Sequence, residues 1–186
     1  YVKAMIKVKN IYKSYGSREI LSGISFSLEK GQKVAFIGQN GIGKSTLLKI
    51  LAGVEEADSG SVEIEKGACV GYLPQDTSVV ENKTIKEYLE EVTGIDILEK
   101  EKIELENKLN DPVKQRRYSE IEEMYEKLDG YNLLHQAKVM LSGFGLDTAN
   151  IDSSLSNLSS GQKSKVALIG ILLKGVDVLL LDEPTN

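Results

Sequence analysis

Gly38-Gln39-Asn40-Gly41-Ile42-Gly43-Lys44-Ser45 combines three glycines, a lysine and a hydroxyl at a spacing suited to holding phosphate. Gly38, Gly41 and Gly43 allow backbone conformations that a side chain would block, so successive N–H groups can converge on phosphate oxygens. Lys44 can reach the outer phosphates as a point charge, Ser45 can offer its hydroxyl to Mg²⁺, and Thr46 can support the inner phosphate, with Gln39 and Asn40 completing the loop. A nucleoside triphosphate is the ligand that this chemistry suits.

Such a loop needs a strand before it and a helix behind it. The apolar run Val34–Ile37 predicts the strand, and Thr46-Leu47-Leu48-Lys49-Ile50-Leu51 predicts the helix, whose positive end would add to the anion site. Far downstream, Val178–Leu181 reads as a buried parallel strand, with Asp182 and Glu183 at its carboxyl end, where open α/β sheets bind ligands. Asp182 is placed to hold Mg²⁺ directly or through water, and Glu183 is a candidate general base for an attacking water. Acidic residues also simply end strands beside a turn-forming proline such as Pro184, and the upstream phosphate loop favours the catalytic reading.

Between these segments lies Leu158-Ser159-Ser160-Gly161-Gln162, in which Ser159 and Ser160 read as N-cap residues. The helix they open, Gln162–Leu173, carries Val166, Ile169 and Leu173 on one apolar face. Strands are further expected around Ile6, Ile24–Leu28, Val62–Ile64 and Cys69–Leu73; alternation in Ile24–Leu28 indicates a half-exposed antiparallel strand.

Composition bounds the partners. The chain has 186 residues, 41% hydrophobic and 27% charged, as expected for one globular domain with a possible appendage. A net charge of −5 supplies no global attraction to nucleic acid, so any RNA contact must be local. The single Cys69 rules out an internal disulfide and suits a reducing compartment, and no apolar run is long enough to cross a bilayer. Met5 resembles a natural start, leaving Tyr1–Ala4 as an expected added remnant.

From Thr84, which can cap a helix, the character changes, and the charged stretch Leu98–Leu128 is broken only at Asn110-Asp111-Pro112. Leu98, Leu105 and Leu109 share a stripe before the break, with Lys102 in the remaining heptad slot; Tyr118, Ile121, Tyr125 and Leu128 form a stripe after it. A helical hairpin is expected. Residues 99–129 hold seven basic and ten acidic groups, yet Lys114, Arg116 and Arg117 cluster at the expected tip, where cations could neutralise phosphates. The alternative for that cluster is a solvated helix end.

In their order and spacing, the three segments resemble the Walker A, signature and Walker B elements of the ATP-binding cassette proteins, and they cover the chain from end to end. The resemblance implies an α/β P-loop fold with a mostly parallel core sheet, an antiparallel β-subdomain and a helical subdomain. It places one cassette domain at residues 1–186, the helical subdomain at 84–145 and its arm hairpin at about 97–129. It also makes Gln75, in Tyr72-Leu73-Pro74-Gln75, a glutamine that senses Mg²⁺ and the γ-phosphate, and Tyr15 the aromatic that stacks on adenine, with Tyr12 as a rival. Ser159, Ser160, Gly161 and Gln162 would serve the nucleotide of an opposite cassette, although Ser160 stands where the family pattern has glycine.

The sequence stops at Asn186, before the family's D-loop and switch histidine; His135 is not that histidine. ATP binding with little hydrolysis by this chain alone is therefore expected, and the parallel sheet would be incomplete. The long helical stretch, the Gly130-Tyr131 step, the Lys163–Leu168 run and Pro184-Thr185-Asn186 are similar to the F subfamily, soluble cytoplasmic twin-cassette ATPases that act on the ribosome. That similarity implies ATP and Mg²⁺ as cofactors, a second cassette as partner, an RNA contact at the arm tip and no membrane insertion. The alternative is a nucleotide-binding subunit docked on a transporter's membrane subunit. A chromosome-maintenance ATPase fits poorly, because the insertion is too short for its long coiled coil.

Overall fold

The computed structural model describes residues 4–76, 83–146 and 151–184. The chain divides into two compact units, Tyr1–Gln75 with Val176–Thr185, and Asp76–Gly175. Thr185 and Asn186, part of the F-subfamily resemblance, lie outside the described residues.

In the first unit, β1 (Ala4–Tyr15) pairs antiparallel with β2 (Arg18–Glu29) on one side and with β3 (Ser59–Ile64) on the other. Tyr15 pairs with Arg18 across a two-residue turn in which Gly16 takes φ 61°. β4 (Val70–Leu73) and β5 (Val178–Leu181) form a separate parallel pair in the register Tyr72 to Leu180 and Leu73 to Leu181. Helix α1 (Lys44–Leu51) buries Leu47, Leu48, Ile50 and Leu51 against Ile6, Val8 and Ile11 of β1 and Leu180 of β5. Apolar burial of this kind contributes about 1.5–3 kcal/mol per large side chain.

The strand expected at Val34–Ile37 is not formed. A strand exists through its hydrogen-bonded neighbour, and among the described residues this run has no ladder partner. Phe36 is anchored by edge-to-face contact with Phe26, at 5.6 Å between centroids, while Ile37 is 95% exposed. Beside the run lies a cleft of about 790 Å³, bordered by Val34, Phe36, Leu48, Leu179 and Leu181 and reaching Lys44 and Glu183. The parallel sheet is accordingly two strands among the described residues, narrower than the sequence suggests.

The second unit is helical: α2 (Ile85–Thr93), α3 (Ile95–Glu106), α4 (Pro112–Lys127), α5 (Leu133–Gly143) and α6 (Ser160–Leu173). Thr84 caps α2 as its residue type indicates, accepting from the Glu87 N–H at 3.1 Å while Glu87 accepts from the Thr84 N–H at 2.8 Å. Leu89, Leu141, Leu155, Val166 and Ile169 form the core of this unit. His135 is exposed on α5.

Helices α3 and α4 form the expected hairpin, with Ile121 and Tyr125 buried. Leu109 departs from its predicted stripe: α3 ends at Glu106, so Leu109 falls in the connection and is 39% exposed. Lys102 fills its heptad slot as a cation among tyrosine rings. Its ammonium pairs with Glu122, donates to the Tyr131 hydroxyl at 3.0 Å and lies 5.3 and 5.2 Å from the Tyr125 and Tyr131 ring centroids. Glu122 and Tyr131 hold its basicity above the ordinary lysine value. Gly130 is required here, because a Cβ would lie 2.6 Å from the Tyr125 ring.

Candidate functional site

The phosphate loop emerges from the unpaired Val34–Ile37 run and turns at Gly41, φ 78°, and Gly43, φ 105°. Gly43 is the N-cap of α1, and a Cβ on it would meet Ile20 Cγ2 at 2.8 Å and Leu21 Cδ2 at 2.9 Å. Both the backbone angle and the space demand glycine. Gly43→Ala is expected to cost about 1–3 kcal/mol and to lower Tm by at least about 2 °C. A circular-dichroism melt indistinguishable from wild type would contradict this reading of the turn.

Lys44 begins the helix, and its side chain curls back over the loop, donating to the carbonyl oxygens of Gly38 at 2.7 Å and Gln39 at 3.0 Å. The ammonium is thereby held above the turn that also contains Asn40 and Gly41. One residue on, the Ser45 hydroxyl donates to Oδ1 of Asp182 at 3.0 Å. Residues 137 positions apart therefore meet.

Asp182 leaves the end of β5 almost fully buried, 4% exposed, and its backbone N–H donates to the Leu73 carbonyl at 3.0 Å. The same carboxylate accepts from the Tyr72 hydroxyl on Oδ2 at 3.3 Å. Burial and the adjacent Asp182 charge push the Tyr72 phenol up to about 12, so it is a donor at neutral pH. Sequence reasoning passed over Tyr72, because nothing in its local pattern distinguishes it from a packing aromatic.

The Ser45 hydroxyl and the Asp182 carboxylate, joined by a hydrogen bond at 3.0 Å, are both hard oxygen donors of the kind Mg²⁺ takes, so the pair could hold such an ion. Ser45 and Asp182 thus fit the cation that the donor set implies. Such an ion would neutralise charge on bound phosphates.

Gln75 and Glu183 also come together, the Gln75 amide donating to Glu183 Oε2 at 2.9 Å. Glu183 takes φ 48°, a left-handed conformation that costs free energy in a residue with a Cβ and that concentrates at functional sites. The turn directs the carboxylate that follows Asp182 to the Gln75 amide.

Tyr15 stands half exposed at the end of β1. Its hydroxyl donates to Glu55, which together with burial raises the phenol above its usual range. Lys13 lies 5.6 Å from the ring centroid. Tyr12 instead sets its hydroxyl end over Gly23 of β2.

In the helical unit Ser159 is the N-cap of α6 and Ser160 its first residue. Gln162 completes a capping box: its N–H donates to Ser159 Oγ at 3.3 Å, and its side-chain oxygen accepts from the Ser159 N–H at 2.9 Å. A Cβ on Gly161 would meet nothing within 4 Å, so local packing does not require glycine there.

The three arm-tip cations are not equivalent. Arg117 grips Glu101 with two parallel bonds, 2.7 and 2.9 Å, and lies 3.5 Å from Glu120. Arg116 has a looser 3.5 Å pairing with Glu120, and Lys114 one of 3.9 Å with Asp111. Arg117 belongs to the hairpin's own structure, which leaves Lys114 and Arg116 as the more available charges.

Residues 21–186 match the family model described as ABC transporter. The chain is 35% identical to the ABC transporter ATP-binding protein YfmM of Bacillus subtilis, over 98% of this chain and 37% of that protein. It is 35% identical to the tylosin resistance ATP-binding protein TlrC of Streptomyces fradiae, over 98% and 35%. With the energy-dependent translational throttle protein EttA of Escherichia coli K12 it shares 34% identity, over 91% and 31%. The chain thus spans about a third of the length of these relatives. The ATP-binding subunit of an ABC transporter superimposes with a TM-score of 0.69 at 24% identity, covering 97% of this chain and 67% of that one, a likeness of fold.

Proposed function

We propose, from the premise that this chain belongs to the ATP-binding cassette family and is most like its F subfamily, that it binds MgATP as one of two cassettes and that the pair acts on the ribosome. The observation that carries the reading is the meeting of the phosphate loop with the end of β5, Ser45 on Asp182 at 3.0 Å beside Lys44. Loop amides and Lys44 hold the phosphates, Ser45 and Asp182 hold Mg²⁺ with Gln75 nearby, and Tyr15 stacks on adenine. Glu183 takes the proton of the attacking water. Ser159, Ser160, Gly161 and Gln162 complete the site of the opposite cassette, so ATP joins the two halves and its hydrolysis releases them.

In this reading residues 1–186 form one cassette, 84–145 its helical subdomain and 97–129 the arm. The relative named as an energy-dependent translational throttle protein supports a role in translation. So does the resemblance of the α3–α4 hairpin to the arm of the F subfamily. Among the described residues no helix is long and apolar enough to cross a membrane.

The test is co-sedimentation of the full-length protein with ribosomes in ATP. Capture is expected, and retention by a membrane subunit instead would favour the transporter reading. Lys114→Glu with Arg116→Glu should weaken capture several-fold and flatten its salt dependence while sparing nucleotide affinity. Equal capture before and after would dispose of the tip contact. Arg117 is left intact in that variant, because removing its grip on Glu101 would disturb the hairpin.

A further inference from the structure

Tyr72 lies in no phosphate-binding or acidic motif, yet its hydroxyl reaches the buried carboxylate that ends β5. The contact follows from the ladder. Parallel pairing sets Tyr72 opposite Leu180 and Leu73 opposite Leu181, and the Asp182 N–H continues the register onto the Leu73 carbonyl. The backbone on both sides of the contact is therefore fixed, and Tyr72 and Asp182 meet across it at 3.3 Å.

A carboxylate attached to a fixed backbone retains a soft rotation about its last bond, because that torsion is broad and roughly twofold. Two hydroxyls remove this freedom: Ser45 donates to Oδ1 and Tyr72 to Oδ2. Oδ1 is then presented to Ser45, and Oδ2 is occupied from the strand side.

We propose that Tyr72 is a positioning residue that orients the Asp182 carboxylate toward the divalent cation shared with Ser45. The inference rests on the MgATP reading of the site. Partners that orient a metal-ligating group without touching the metal commonly change metal affinity by an order of magnitude or more; a bond as long as 3.3 Å places the expected effect at the low end.

The test uses Mn²⁺, followed by electron paramagnetic resonance, with a non-hydrolysable ATP analogue on this chain and on Tyr72→Phe, which removes the hydroxyl and little else. Nucleotide affinity is measured in parallel in EDTA. Tyr72→Phe should loosen Mn²⁺ by about three- to tenfold, with nucleotide affinity in EDTA within about twofold of wild type. Unchanged Mn²⁺ affinity overturns the inference. A fall in both affinities, or a variant that does not fold by circular dichroism, also overturns it, since the hydroxyl would then be a structural prop. A wild-type chain that binds no nucleotide sinks the MgATP reading itself, a result distinct from the other three.

Discussion

Lys44→Ala is expected to reduce ATP affinity by on the order of a hundredfold or more, the usual consequence of removing one partner of a desolvated charge pair. The ammonium spans the loop, bonded to the carbonyls of Gly38 at 2.7 Å and Gln39 at 3.0 Å, in the position from which it can meet the outer phosphates. The substitution has two effects of the same sign: a cation is lost, and the loop loses an internal tether. Lys44→Met separates them, because it keeps most of the stem and removes only the charge. Titration calorimetry with both variants, and circular dichroism to verify folding, measures the outcome. An affinity equal to wild type in either variant would count against the phosphate-loop assignment.

Glu183→Gln is expected to slow ATP hydrolysis by the full-length protein by roughly 10²- to 10⁴-fold, the range typical for loss of a general base, with nucleotide binding kept. The two side chains have the same shape, and neither is relieved of the left-handed φ of 48° at this position, so the backbone cost is common to both. What changes is proton acceptance, since an amide oxygen cannot take the proton of an attacking water at neutral pH. The Gln75 amide, 2.9 Å from Glu183 Oε2, still has an oxygen acceptor after the change. Steady-state phosphate release decides the matter; a rate within threefold of wild type would remove Glu183 from the chemistry.

Parts of this molecule were legible before any fold was known. The loop from Gly38 to Ser45 is contiguous, so its glycines, lysine and hydroxyl carry their meaning within eight residues. Helix α6 announces its own start, because Ser159 and Gln162 form a cap from positions three apart. The heptad pattern likewise indicates the α3–α4 hairpin. Local signals failed at Val34–Ile37, whose apolar character suits a strand but which has no ladder partner among the described residues.

Sequence by itself determined the chemical inventory: a phosphate-cradling turn, two successive carboxylates after an apolar strand, and a charged helical insertion. Tertiary structure decided which of these groups touch. Parallel pairing of β4 with β5 brings Tyr72 to Asp182 and Gln75 to Glu183, and packing of α3 on α4 commits Arg117 to Glu101. The physical reason is range. Caps, turns and periodicity act over a few residues along the chain, whereas hydrogen bonds between distant side chains depend on strand register and helix packing.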